Sequence, residues 1–197
     1  LILLIVPWQP SPKNPQRLIE FERYTRSWHL LSTRRNPRST TLIPADSLSP
    51  PIVMTLAGND PSGGAGIAAD LETLISFGCH PAPVITAITV QDTHDIQALL
   101  PVEPDQIIAQ ARAVLEDMPV AVFKVGVIGS TDNVAALHEL FTAYPHIPVV
   151  LDPILAAGGG AELANAALIE SIQRLLLPQT TVLTPNSIEA RRLAPEA

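Results

Sequence analysis

The chain has a single cysteine, Cys79. No disulfide can close within it, which fits a reducing, cytoplasmic setting. Cys79 lies in Gly78-Cys79-His80-Pro81, read as a helix-to-strand turn, and is expected to be a small buried thiol rather than a nucleophile. Long hydrophobic runs are lacking as well. The apolar opening Leu1 to Val6 is six residues, against the ~20 that a membrane-spanning helix needs. It has neither a basic leader nor a small-residue cleavage site, so no membrane partner and no secretory export are expected. The phosphate-binding pattern G-x-x-x-x-G-K-[ST] is absent, which excludes a P-loop. No internal repeat is visible. Basic residues are scarce after residue 50, with five Lys or Arg against 16 acids and a local charge of −11, whereas residues 1–50 carry seven against three. An acidic body repels phosphate backbones, so no nucleic-acid partner is expected for the folded part.

Two segments of different character remain. In residues 1–50, Pro7, Pro10, Pro12, Pro15, Pro37, Pro44 and Pro50 are scattered among Arg, Ser and Thr with no sustained period. Such a segment cannot bury enough apolar surface to offset its ordering entropy. It is expected to be a disordered extension upstream of the domain, with no assigned function. Residues 51–197 suffice for one core of ordinary size.

From Pro51 onward apolar runs alternate with helical periods. Strands are predicted at Ile52–Ala57, Ala82–Val90, Val120–Ile128, Val149–Leu151 and Thr181–Leu183. Helices are predicted at Ala65–Phe77, from Pro104 onward, over Val134–Phe141, along the stripe Leu168, Ile172, Leu175 and Leu176, and from Asn186. This alternation implies an α/β fold, with a mainly parallel sheet covered by helices in a three-layer α/β/α arrangement.

In such sheets ligands bind beyond the carboxyl ends of the strands. The most informative stretch sits there: Ala57-Gly58-Asn59-Asp60-Pro61-Ser62-Gly63-Gly64-Ala65-Gly66 follows the first strand and opens a helix. A loop this rich in glycine lets backbone amides crowd a ligand, and the helix adds its unpaired N–H groups and positive dipole end. The pairing suits a small polar or anionic ligand. Gln91 and Asp92, Gly126 to Ser130, Asp152, and Thr184 to Glu189 are expected at the same edge. The Gln91 amide offers a donor and an acceptor in one plane, a match for a ring nitrogen and an exocyclic amine, or it simply ends a strand. Asp70 falls near the start of the helix after the glycine-rich loop, where the dipole favours a carboxylate with or without a ligand. Asn186 is a natural N-cap and Glu189 can complete a capping box. Lys124, inside an apolar strand, reads as one half of a structural salt bridge. Gly64-Ala65-Gly66-Ile67-Ala68-Ala69 also fits a G-x-G-x-x-A dinucleotide fingerprint, but the acid that motif requires comes only at Asp92, further on than the ~20 residues expected.

The glycine-rich segment through Leu71, with Val84-Ile85-Thr86-Ala87, Lys124-Val125-Gly126, Leu151-Asp152-Pro153 and Thr184-Pro185-Asn186-Ser187-Ile188-Glu189-Ala190, closely resembles the hydroxymethylpyrimidine and phosphomethylpyrimidine kinases of thiamine biosynthesis. These belong to the ribokinase-like superfamily. The resemblance runs from about Ile52 to the C-terminus. It implies ATP- and Mg2+-dependent phosphorylation of 4-amino-5-hydroxymethyl-2-methylpyrimidine and then of its monophosphate. It also implies that Gln91, Asp70, Gly58, Val127 and Ile154 bind the pyrimidine, and that Asp152, Asn186 and Glu189 lie on the nucleotide side, with Asp152 and Glu189 near the metal. The partners it implies are the pyrimidine and ATP; a homodimer is one candidate assembly. Val127 stands where many members carry Met, and Ala156-Ala157-Gly158-Gly159-Gly160 replaces a more polar stretch. Family members continue past the position of Ala197 through strands and helices that supply the anion hole, the catalytic base and much of the adenine pocket. No catalytic base is therefore expected within these residues, and impaired activity is expected of them alone. The alternatives are a pyridoxal or pyridoxine kinase, a non-catalytic pyrimidine-binding remnant, and a dinucleotide-binding domain.

Overall fold

The computed structural model describes residues 49–156 and 162–194. The expected disordered extension lies almost entirely outside the described residues, as do Ala157 to Gly160. Six strands form one sheet: β1 (Ile52–Asn59), β2 (His80–Gln91), β3 (Ile96–Pro101), β4 (Val120–Val125), β5 (Val149–Leu151) and β6 (Val182–Leu183), in the spatial order β3-β2-β1-β4-β5-β6. All neighbours are parallel except β2 and β3. Helices α1 (Gly66–Ser76), α2 (Pro104–Leu115), α3 (Thr131–Ala143), α4 (Ala166–Ser171) and α5 (Ser187–Leu193) connect them. The fold is the three-layer α/β arrangement that the alternating pattern implies.

The central strands are near-continuous apolar runs because both faces are covered. Met54, Leu56, Val84, Phe123, Val125 and Leu151 are all fully buried in one core. Helix α3 packs against both α2 and α4, while α1 rests on β1 and β2 and buries only Ile67. Two prolines, Pro81 and Pro83, sit inside β2 without breaking it. The His80 amide donates towards β1, to Pro51 O, and β3 pairs only with Ala87 to Gln91. The alternate prolines thus face the side where β2 has no strand neighbour, and no ladder bond is lost.

The departures from the sequence pattern have local causes. Strand β1 runs on through Gly58 and Asn59, which pair with Ala87 and Ile88 beyond a register shift. The third predicted strand stops at Val125, because the chain turns away through Gly126 and a positive-φ Gly129. The predicted helix along Leu168 to Leu176 is α-helical only to Ser171, then forms a π turn over Ile172–Leu176 and a 3-10 turn over Leu177–Gln179. Pro178 lacks the N–H that regular helix would need. Side chains take up carbonyls near this end, with Thr180 Oγ1 donating to Leu176 O at 2.9 Å and His138 Nδ1 lying 3.1 Å from Leu175 O. The antiparallel strand β3 has no counterpart in the sequence reading. Its six residues end on a proline and follow a turn, Asp92 to Asp95, too polar to mark as a hairpin by apolar alternation.

Candidate functional site

The carboxyl ends of β1, β2 and β4 and the N-terminus of α1 surround a cavity of about 440 Å3. That size accommodates a small ring compound. Gly58, Gln91, Val127 and Ile154 all line it, as do Asp60, Gly64, Ala65 and Gly66 of the loop. Two glycines in the loop have left-handed backbone, Gly63 at φ 79° and Gly66 at φ 57°. A Cβ on Gly66 would fall 2.2 Å from Gly58 O, so only glycine allows the helix to start against the strand end. Helix α1 has no side-chain N-cap, and its first residue, Gly66, is bridged to Asn59 at the end of β1.

Asp60 organises this turn. It is 6% exposed, and its Oδ1 accepts from the Ser62 amide at 2.7 Å. Burial works against its charge, but hydrogen bonds from the Ser62 side chain and amide, the Ala65 amide and the Gln91 side chain outweigh that and hold its pKa below the usual carboxylate value. Nothing in the sequence reading marked Asp60. Its spacing to Ser62, that of an Asx turn, was the available signal.

Beside the cavity lies a charged cluster. Lys124 Nζ on β4 donates to Asp70 Oδ2 on α1 at 2.8 Å, and Thr55 Oγ1 on β1 donates to the same oxygen. The expected salt bridge of Lys124 is therefore made, and Asp70 is its partner. Asp70 is the fifth residue of α1, and the first turn holds no acid. The helix-dipole account of Asp70 is thus corrected: an ammonium and a hydroxyl hold its carboxylate. Asp152 follows β5, and burial pushes its carboxyl up to about 6. The charge of Lys124 opposes that rise, and Glu189 and Asp70 add to it. Asp70, Lys124, Asp152 and Glu189 thus share one electrostatic neighbourhood. Gly126 joins it to the cavity, since a Cβ there would stand 3.2 Å from Lys124 Nζ and 3.8 Å from Ile154 Cδ1.

Asn186 caps α5 with its side chain, accepting from the amides of Ile188 and Glu189, and Glu189 completes the capping box. Glu189 is buried, with Oε2 accepting from Asn186 N at 2.9 Å and Oε1 from Leu155 N at 3.3 Å. The cap thereby ties α5 to the segment after β5. Of the residues singled out from sequence, four line the cavity, while Asp70, Asp152, Asn186 and Glu189 lie outside its lining. Asp92 lines it too, but its Oδ1 accepts from the amides of His94 and Asp95 within its own turn, which disfavours the ribose-binding role of a dinucleotide site. Cys79 is half-buried in the turn between α1 and β2 rather than fully enclosed.

Asn133 is a second residue that the sequence did not reveal. It is fully buried in the first turn of α3, and its Nδ2 donates to Ile128 O at 2.9 Å and Thr86 O at 3.4 Å. With Thr86 Oγ1 donating to Val127 O, it fastens the segment after β4 to β2 and fixes one wall of the cavity.

A mainly parallel sheet with a glycine-rich turn and several carboxylates at its strand ends is the fold of the ribokinase-like class, and solved structures of kinases share it. Phosphomethylpyrimidine kinase from Clostridium difficile 630 superposes with a TM-score of 0.68 at 34% identity, covering 73% of this chain and 62% of that one. Pyridoxal kinase from Staphylococcus aureus in complex with AMP-PCP and pyridoxal gives 0.63 at 29% identity, covering 74% and 51%. The chain belongs to the phosphomethylpyrimidine kinase family, whose model matches residues 60–197. Hydroxymethylpyrimidine/phosphomethylpyrimidine kinase of Escherichia coli K12 is 40% identical over 146 residues, 73% of this chain and 55% of the relative. The chain thus spans about half the length of the curated relatives it matches.

Proposed function

We propose that this chain forms the pyrimidine-binding part of an ATP-dependent kinase that phosphorylates 4-amino-5-hydroxymethyl-2-methylpyrimidine and its monophosphate. The observation that carries this reading is the Gln91 amide in the wall of a ring-sized cavity that apolar Val127 and Ile154 and the start of α1 also line. An amide donates through nitrogen and accepts through oxygen in one plane, which complements a ring nitrogen next to an exocyclic amine. Gly58 keeps the floor low at the end of β1, and the apolar side chains cover the ring faces.

The nucleotide side of the proposal rests on Asp152 and Glu189. Asp152 is a desolvated carboxyl in a neighbourhood with two further acids and one ammonium. Among the described residues no group of three or more His, Cys, Asp or Glu has metal-holding geometry. A Mg2+ ion arriving on ATP phosphates would be held near Asp152 through its waters, the usual habit of this ion. Bound there, Mg2+ would neutralise phosphate charge. Glu189 gives both oxygens to backbone amides, so its part is to hold the segment after β5 in place, whereas Asp152 faces the charge cluster. Lys124 holds the Asp70 carboxylate in place at 2.8 Å, beside Gly126 and the Ile154 wall. Phosphoryl transfer depends mainly on positioning and electrostatics, and these residues supply the acceptor side of both.

Calorimetric titration of the 197-residue chain with 4-amino-5-hydroxymethyl-2-methylpyrimidine tests the reading, with pyridoxal and NAD as comparison ligands. Saturable one-site binding of the pyrimidine, abolished by Gln91→Ala, is the expected result. Tighter binding of pyridoxal or of NAD, or pyrimidine binding indifferent to Gln91, overturns it.

A further inference from the structure

A strand, a glycine-rich turn and a helix start in succession suit an anionic ligand. Left-handed backbone at Gly63, φ 79°, and Gly66, φ 57°, bends the turn in the way that lets neighbouring amides converge on one. In this chain the place is already filled. Asp60 lies within the turn, 6% exposed, and its Oδ1 accepts from the Ser62 amide at 2.7 Å. Its backbone carbonyl accepts from Gly63 N at 3.2 Å and closes the turn. Its other carboxylate oxygen, Oδ2, lies 3.8 Å from where a Cβ on Gly64 would stand. Asp60, Ser62, Gly64 and Gly66 all line the cavity, so the turn and the acid it encloses form one of its walls. An N–H donated to a carboxylate oxygen favours the charged form. Among the described residues no basic side chain pairs with Asp60, so backbone rather than a counter-ion answers its charge.

We propose that Asp60 is a specificity-determining residue: it takes the place of the anion that the turn would otherwise bind, and it closes this end of the cavity to phosphate groups. The inference rests on the cavity being the binding site of the proposed function, and it deepens that reading by naming the ligand chemistry the glycine-rich wall accepts. A phosphate brought to the turn would meet a carboxylate where it needs free amides, and like charges repel strongly in a wall with little water to screen them. A carboxylate only accepts hydrogen bonds, so the wall suits neutral rings and N–H donors. The monophosphate of the proposed function is accommodated with its phosphate turned away from this wall. A dinucleotide is not, because its pyrophosphate must rest on the amides of such a turn. Gly64-Ala65-Gly66-Ile67-Ala68-Ala69 therefore matches the dinucleotide spacing without offering the site.

The experiment follows the backbone amide resonances of Ser62, Gly63 and Gly64 in the full chain as inorganic phosphate is added, with potassium chloride at matched ionic strength as the control. A site-resolved readout separates the turn from phosphate held by the seven Lys and Arg of residues 1–50. In the wild type these resonances are expected to stay in place. Asp60→Asn keeps an oxygen for the Ser62 amide and removes only the charge, and it is expected to bind phosphate at the turn at least about tenfold more tightly than the wild type. Asp60→Ala frees the amide as well and is expected to bind phosphate more tightly still. Where Asp60→Ala fails to fold, Asp60→Asn decides alone. Turn resonances that respond to phosphate equally in the wild type and in Asp60→Asn overturn the inference, and so do resonances that stay in place in Asp60→Asn. A wild type that binds neither the hydroxymethylpyrimidine nor its monophosphate overturns the proposed function instead, and the phosphate titration still decides the role of Asp60.

Discussion

Replacing Asp152 by Asn should make the folded chain more stable at neutral pH and leave it no more stable in acid. Burial raises the Asp152 carboxyl from its ordinary 3.8 to about 6, with Lys124 only partly offsetting the cost. Between those two values the folded state binds more protons at this site than the unfolded state does. Stability from this group is therefore fully present below the unfolded value and is lost as pH rises through about 6. A shift from 3.8 to about 6 corresponds to about 3 kcal/mol. Asp152 keeps part of its surface in water, and solvent screening reduces that to about 1–2 kcal/mol. Asparagine preserves the shape and removes the charge, while Lys124 keeps Asp70 as a partner at 2.8 Å. Urea unfolding of both proteins in chelator at pH 7.5, 6, 5 and 3.5 measures the difference directly. The variant should be more stable by about 1–2 kcal/mol at pH 7.5, with the gain fading through pH 5 and vanishing at pH 3.5. Equal stability at pH 7.5, or a gain that persists at pH 3.5, would refute the reasoning. Saturating Mg2+·ATP should erase the advantage of the variant if that complex sits against Asp152.

Three other perturbations test separate parts of the site. Gly66→Ala should cost at least about 3 kcal/mol in thermal or urea unfolding, because a Cβ 2.2 Å from Gly58 O cannot be relieved by rotating a side chain. Gly58→Ala should change stability by less than about 1 kcal/mol, since its nearest neighbours would be 3.6 and 3.7 Å away, yet it should weaken pyrimidine binding by filling the cavity floor. Asn133→Leu should destabilise by about 1–3 kcal/mol, as Ile128 O would lose its buried donor; an unchanged urea midpoint would rule out the clamp. Lys124→Met should cost about 3 kcal/mol by removing the ammonium from Asp70 and leaving it only the Thr55 hydroxyl, and Asp70→Asn in the same chain should recover part of it.

Much of this protein is legible one residue at a time. The β-branched runs, the Asn186 cap with Glu189 three positions on, and the glycine-rich turn before α1 depend on local periods and on backbone preferences, which neighbouring residues set. So the sheet, its mainly parallel sense and the edge where the cavity lies follow from the chain's order alone. Even Gln91 stands out, because a carboxamide at the end of an apolar strand has chemistry that packing does not require.

Other features needed the folded chain. Strand β3 became visible only once β2 was there to pair with it, and the bends at Pro178 and Gly129 overrode the apolar periods around them. Asn133 carries no mark of its own and Asp60 only the spacing of an Asx turn, since short polar residues serve turns and strand ends everywhere. Their importance comes from partners brought close by folding: Ser62 and Ala65 around Asp60, Lys124 and Glu189 around Asp152, Thr86 and Ile128 around Asn133. Secondary structure is set by interactions a few residues apart, so sequence determined it. Which polar groups share a desolvated space is set by contacts between residues dozens of positions apart, and only the tertiary structure decided that.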